Sequence, residues 1–273
     1  MNDVLSIEVR LVLEAIYAKY GYDFRDYTAE SICRRLQTAL AKSGAAHLGE
    51  FQHRLLTEPA FFASVIDDLT VQVSSMFRDP NFYRTFREHV IPTLRTYPQI
   101  KIWHAGCATG EEVYTMAILL QEENLYERAQ IYATDVSSRA IEQAREGVYS
   151  ESEAASFEAN YVQSGGRGKF TDHCSSAYGC IAIKETLRKN VVFFQHDLVT
   201  DHALGEMHVV FCRNVLIYFG ETLRERVFDL IAGCLFRGGF VCLGNSERVP
   251  SSRAQQFEAI GPVERIYRKR MMS

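Results

Sequence analysis

A chain of 273 residues is long for one domain and short for two large ones. With 47% hydrophobic and 23% charged residues it has the composition of an ordinary soluble globular protein, and its net charge of −4 argues against bulk nucleic-acid binding, which needs a basic face. No stretch approaches the roughly 18 uninterrupted apolar residues of a membrane span, MNDVLSIEVR lacks the basic start of a signal peptide, and seven scattered cysteines without a CxxC are expected as reduced cytoplasmic thiols.

Residues 5–20 read as an amphipathic helix with Leu5, Val9, Val12, Leu13 and Ile16 on one face. A second helix, 28–42, has an apolar stripe (Ile32, Leu36, Leu40) and the cations Arg34, Arg35 and Lys42, and it stops at Ser43-Gly44. Helices at 47–57 and 60–69 are separated by Glu58-Pro59. Asp79-Pro80 reads as an N-cap followed by proline at the first helical position, opening a helix over 80–95 that ends before Tyr97-Pro98. After Pro98 the pattern changes. Strands at 100–105, 130–134, 191–195, 207–212 and 239–244 alternate with helices at 110–123, 138–146 and 221–235, which implies a parallel sheet covered by helices. The end, FEAIGPVERIYRK, reads as two strands joined at Gly261-Pro262, so the sheet closes on an antiparallel pair. Residues 148–190 break the alternation and are too long for a structureless loop. They contain SGGRGK and the strand-like YGCIAI, and are expected to form a small inserted helix-plus-sheet subdomain. The expected organisation is a helical domain over 1–75 and an α/β domain over 76–273 that carries the insert.

The stretch KIWHAGCATGEEVYTMAILL, residues 101–120, carries the chemistry. A strand enters a turn tight at Gly106 and Gly110, the turn enters a helix opening with Glu111 and Glu112, and the next strand ends on Asp135. Phosphate sites use bare helix N-termini and want no carboxylate there. Two glutamates would repel a pyrophosphate and attract a sulfonium and an α-ammonium group. The G-x-x-x-G spacing also departs from the dinucleotide fingerprint. The pattern therefore favours S-adenosylmethionine, with Asp135 accepting from ribose hydroxyls. The plainer reading of the two glutamates is complementation of the helix dipole. Trp103 and His104 read as structural and Cys212 as packing. His173-Cys174 lacks metal-ligand spacing, so no metal is expected.

Five motifs line up: LTVQVSSMFRD (69–79), WHAGCATGEEVY (103–114), ATDVSSRAIEQAREGVYS (133–150), FCRNVLIYF (211–219) and GNSERV (244–249). Together they resemble the CheR family of chemoreceptor glutamate O-methyltransferases. The resemblance implies a small helical domain followed by a class I, Rossmann-like methyltransferase domain with an inserted β-subdomain. It implies methyl transfer from S-adenosylmethionine to glutamates on the cytoplasmic helical bundle of chemoreceptors. By the same resemblance Arg78 meets the cofactor carboxylate, Glu111 its amino group and Asp135 its ribose. Gln72 and Ser74 stand where the family usually has asparagine and threonine, and Asp197-Leu198 where it has Asn-Leu near the adenine. Arg213, Asn214 and Tyr218 complete the site, Tyr218 orienting the acceptor oxygen or the methyl. Plainer readings make Arg78 a surface charge, Asn214 a turn residue and Tyr218 a core aromatic.

A glutamate carboxylate is already ionised at neutral pH, so no general base is needed to make it a nucleophile. The resemblance also implies docking of an acidic receptor helix on the basic second helix through Arg34, Arg35 and Lys42. A receptor C-terminal peptide is a further expected partner, held by the insert near Gly165, Gly166 and Gly168. Other readings stay open at this point: a degenerate S-adenosylmethionine-binding regulator, or a methyltransferase for a different acceptor.

Overall fold

A computed structural model describes residues 3–70, 74–261 and 265–271, without the side chains of residues 3–5. Gln72, Pro262 and the side chain of Leu5 thus fall outside what is described.

Four helices come first: α1 (Asp3–Tyr20), α2 (Ala29–Ser43), α3 (Leu48–Thr57) and α4 (Pro59–Leu69). Their apolar stripes close on one another around Val12, Ile16, Phe24, Leu36, Phe51 and Leu69, a core separate from the rest of the chain. Gly44 ends α2 in the left-handed conformation at φ 72°, where a side chain would be strained. The single helix expected over 80–95 is two, α5 (Pro80–His89) and α6 (Ile91–Leu94). Pro92 is the reason, because it lacks the N–H that would continue the ladder and its ring crowds the carbonyl one turn back.

The sheet then builds from β1 (Ile100–Ala105), α7 (Glu111–Glu122), β2 (Ala129–Asp135) and α8 (Ser138–Glu146). The insert follows: β3 (Val148–Ser150), α9 (Ala154–Gln163), β4 (Cys174–Ala177) and β5 (Cys180–Ile183). The chain returns with β6 (Val191–Gln195), β7 (Met207–Cys212), α10 (Glu221–Cys234), β8 (Leu235–Leu243), β9 (Phe257–Ile260) and β10 (Ile266–Lys269). The large sheet has seven strands in the order β6-β2-β1-β7-β8-β10-β9, and β10 runs antiparallel to both its neighbours. The insert has its own three-stranded antiparallel sheet, β3-β5-β4.

Every residue of β7 is buried, as expected for a central strand covered on both faces. Val209 and Phe211 join Ile102 on the face covered by α5 and α7; Val210 and Cys212 join Trp103 on the α10 face. The insert shares the first of these cores: Phe157, Tyr161, Phe170 and Ile181 pack with Phe77 and Tyr83, and the Phe77 and Tyr161 rings meet edge to face at 5.3 Å. Ion pairs reinforce this contact, with Arg87 and Arg167 reaching Glu123 at 3.0 and 2.8 Å. Strand order runs outward from β1 in one direction to β2 and β6 and in the other to β7 and β8. Such a reversal opens a crevice at the carboxyl ends of the strands.

Candidate active site

The turn after β1 is hung on β2. Gly106 N–H and Cys107 N–H both donate to the Thr134 carbonyl at 2.8 Å, and Ala108 N–H donates to Asp135 Oδ2 at 2.9 Å. Asp135 Oδ1 takes Ser137 N–H at 3.0 Å. Burial pushes the Asp135 carboxyl up, and these backbone donors act against that rise. Gly106 sits at φ 80°, and a Cβ there would lie 2.5 Å from Val215 Cγ2, so the turn closes directly on the loop after β7. Asp135 lines the resulting cavity with Val136, Asp197 and Leu198 on the β6 side and with Arg78, Glu112, Arg213, Asn214 and Tyr218 on the β7 side.

The two glutamates of the helix start divide. Glu112 lines the cavity, whereas Glu111 is buried beside it, its carboxylate taken by Thr109 Oγ1 at 2.7 and 2.9 Å. The expectation placed Glu111 against the ligand. The phase of the first helical turn makes Glu112 the wall residue instead. Burial raises the Glu111 carboxyl. Burial also acts to raise Glu112, but the His104 hydrogen bond and the Arg213 charge outweigh it and hold that carboxyl below its usual range. Arg213 donates to Glu112 Oε2 at 3.1 Å and to Asp79 Oδ2 at 2.7 Å, with its guanidinium 4.2 Å above the Phe82 ring. Asp79 stands at the N-cap of α5 with Pro80 after it, as its sequence position suggested, but its side chain makes no capping hydrogen bond. It adopts φ 60° and gives its carboxylate to Arg213.

Asn214 follows at φ 62°. The loop it begins is held by Glu247, whose Oε2 accepts from Asn214 N–H at 2.9 Å and Gly244 N–H at 2.6 Å, and whose Oε1 accepts from Ile217 N–H at 3.2 Å. GNSERV is thus the clamp on FCRNVLIYF, a role that only the adjacency of β7 and β8 makes visible. Two non-glycine residues with positive φ line the cavity, Ala108 in the glycine turn and Asn214, and two more, Phe77 and Asp79, flank the lining residue Arg78. Each costs about 1–3 kcal/mol, and such outliers concentrate where geometry serves a ligand.

The helical domain supplies the opposite wall through Tyr27 and Arg35, residues the sequence reading did not place there. Thr28 N–H donates to the Tyr218 carbonyl at 3.0 Å and Gly220 N–H to the Asp26 carbonyl at 2.7 Å, pinning the segment before α2 to the loop carrying Tyr218. Arg35 was expected on a docking face. It is instead 6% exposed, donates to the Leu69 carbonyl, and lies 4.2 Å above the Tyr218 ring. Arg34 and Lys42 are exposed, and Lys42 pairs with Asp68. Ser74 lines the cavity and hydrogen-bonds to Glu111. Asp197 Oδ1 accepts from Val199 N–H at 2.8 Å, and burial raises its carboxyl. His196, unremarked in the sequence, also lines the cavity and donates from Nε2 to the His202 carbonyl at 2.9 Å. In the insert, Gly166 packs against the Tyr161 ring, which a Cβ would meet at 2.4 Å, and Gly168 N–H donates to the Tyr161 hydroxyl at 2.9 Å.

A ligand with a ribose, an aromatic base and a zwitterionic amino-acid end needs an acid for the hydroxyls, an acid for the ammonium, a guanidinium for the carboxylate and an apolar wall for the base. Asp135, Glu112, Arg78 and the Val136–Leu198 side of the cavity supply them, so the residues fit S-adenosylmethionine. No group of three or more His, Cys, Asp or Glu among the described residues could hold a metal ion.

Comparison with known proteins agrees. Residues 72–265 match the family model of the CheR methyltransferase SAM-binding domain, and residues 7–70 match that of the CheR methyltransferase all-alpha domain. Cher3 of Pseudomonas putida is 45% identical over 265 residues, 97% of each chain. A chemotaxis protein methyltransferase of Listeria innocua is 29% identical over 84% of this chain and 85% of its own. Chemotaxis protein methyltransferase 1 of Pseudomonas aeruginosa is 29% identical over 79% and 81%. Matched along both its helical and its sheet portion, with a cavity suited to S-adenosylmethionine between them, this chain belongs to the CheR methyltransferase family.

Proposed function

We propose that this protein transfers the methyl group of S-adenosylmethionine to glutamate side chains on the cytoplasmic helical region of chemoreceptors, forming methyl esters. The observation that carries the reading is Arg35. A buried guanidinium with a single carbonyl partner and an aromatic face, and no carboxylate paired with it among the described residues, is costly on its own. A carboxylate acceptor entering beside Tyr218 supplies the missing charge. The names of relatives that are chemotaxis protein methyltransferases support a receptor as the bearer of that carboxylate.

The chemistry asks little more of the chain. The acceptor glutamate, with a reference pKa of about 4.3, arrives ionised. S-adenosylmethionine supplies an activated methyl group. Arg35 and Tyr218 hold the acceptor oxygen in line, and Tyr27 with the strapped 218–220 loop keeps water from it. Alignment of this kind supplies roughly 7–11 kcal/mol in favourable cases. Arg34 and Lys42 remain as the exposed cations of α2 for an acidic helix outside the cavity.

The test is transfer of labelled methyl groups to the cytoplasmic fragments of receptors from the same genome, read as base-labile ester. Tyr218→Phe should slow transfer with cofactor affinity almost unchanged. Tight binding of S-adenosylhomocysteine with no ester on any receptor would overturn the proposal and leave a cofactor-binding regulator.

A further inference from the structure

Beneath the cavity wall lies a side chain that the cofactor contacts do not use. His104, on β1, is fully buried, and its ring stacks on Phe211 at 4.5 Å and 11°. Its Nδ1 lies 2.9 Å from Glu112 Oε1, and its Nε2 has no hydrogen-bond partner among the described residues. Because an ionised carboxylate only accepts, the Nδ1 carries the proton and donates it. Glu112 is thus gripped twice, by His104 on one oxygen and by Arg213 on the other. Both grips rest on one aromatic cluster: Phe211 packs on Phe82 at 6.0 Å and on Phe86 at 5.5 Å, and Phe82 supports the Arg213 guanidinium. Glu112 cannot swing without breaking a buried hydrogen bond.

We infer that His104 is a positioning residue, which fixes the Glu112 carboxylate toward the amino-acid end of the cofactor. Its place in the cavity supports this assignment. Asp135 marks the ribose at the end of β2, and a base belongs on the β6 side beyond it. Glu112 lies on the other side, with Arg78 and Arg213, where an α-ammonium and an α-carboxylate find partners. A carboxylate held at two oxygens presents its remaining lone pairs in a set direction, and such preorganisation separates a site that is present from one that is tight.

The inference predicts a loss confined to ligands that carry the amino-acid group. Two ligands separate the roles: S-adenosylhomocysteine, and 5′-deoxy-5′-methylthioadenosine, which has the same nucleoside without the amino acid. His104→Phe keeps the stack on Phe211 and removes the donor. By calorimetry it should bind S-adenosylhomocysteine about tenfold or more weaker, with methylthioadenosine almost unchanged. His104→Asn places an amide N–H near the Nδ1 position and should recover most of that loss. Equal weakening of both ligands, or of neither, would make His104 a packing residue only and overturn the inference. Should His104→Phe not fold, Glu112→Gln in the native background decides. The same selective loss is expected there, and unchanged affinity would leave His104 nothing to position.

Discussion

The floor and the roof of the cavity are built by different means. The floor is the carboxyl edge of the sheet, where backbone N–H groups are held: the glycine turn donates to the Thr134 carbonyl and the Asp135 carboxylate, and the loop after β7 donates to the Glu247 carboxylate. The roof comes from the helical domain, where side chains face the cavity beside two backbone straps: Arg35 over Tyr218, Tyr27 against Phe219 at 5.0 Å, and Ser137 Oγ–H donating to Asp67 at 2.7 Å. A floor whose backbone donors are tied to buried carboxylates is intolerant of change and serves binding. A roof of side chains is adjustable and faces the acceptor.

That contrast can be broken most severely at Glu247. Glu247→Leu strands three backbone donors, that of Gly244 buried and those of Asn214 and Ile217 partly buried, at up to about 1–3 kcal/mol each. The melting temperature should fall on the order of 10 °C, with cofactor affinity lost as well. A drop of only a degree or two would show that the loop stands without its clamp. Next comes Asp135→Ala, which should weaken S-adenosylhomocysteine by roughly 10- to 100-fold and methylthioadenosine by a similar factor, since both carry the ribose. Burial raises the Asp135 carboxyl, and donors on a bound ribose favour its ionised form. Wild-type affinity should therefore climb with pH through the raised value and then level, and Asp135→Asn should lose that slope in calorimetry at several pH values.

The roof should respond in the opposite sense. Arg35→Met removes a buried charge with little compensation, so thermal stability should hold or rise by a few degrees. Methyl transfer to a receptor fragment should drop about tenfold or more, with cofactor affinity largely kept. A parallel loss of affinity and turnover would move Arg35 to the floor. The smallest effect belongs to Arg34→Gln with Lys42→Gln. Exposed charges of this kind contribute about 0.2–1 kcal/mol each and are screened beyond about 10 Å at 0.1 M salt. KM for the receptor should rise modestly and depend less on salt, while S-adenosylhomocysteine affinity stays the same.

What the sequence made legible follows the same division. The floor lies in contiguous motifs next to strands, so periodicity and two glycines pointed to Asp135, and the resemblance of FCRNVLIYF to the family added Arg213 and Asn214. Glu111 and Glu112 differ only in helical phase, which a motif does not fix, and the structure chose the second. Glu247 stands in GNSERV, a motif quoted without a role for it, because two of its partners lie 33 and 30 residues earlier on the neighbouring strand's loop. Asp79 read as a cap, which by position it is, but its pairing was hidden because its partner, Arg213, is 134 positions away. Arg35 is the instructive miss. It stands three residues after Ile32 and four before Ala39, both buried, so helical spacing already put it on the apolar arc of α2. Its charge was read before its position.

The insert carries one last consequence. Because Phe157, Tyr161 and Phe170 are continuous with the core that holds Phe77 and Tyr83, and Arg87 and Arg167 lock to Glu123, the small sheet does not swing on a linker. It is a bracket. A flexible tether raises the local concentration of its cargo over a sphere set by its length. A bracket fixes a vector. Anything gripped by the small sheet would be held at a constant offset from the cavity mouth.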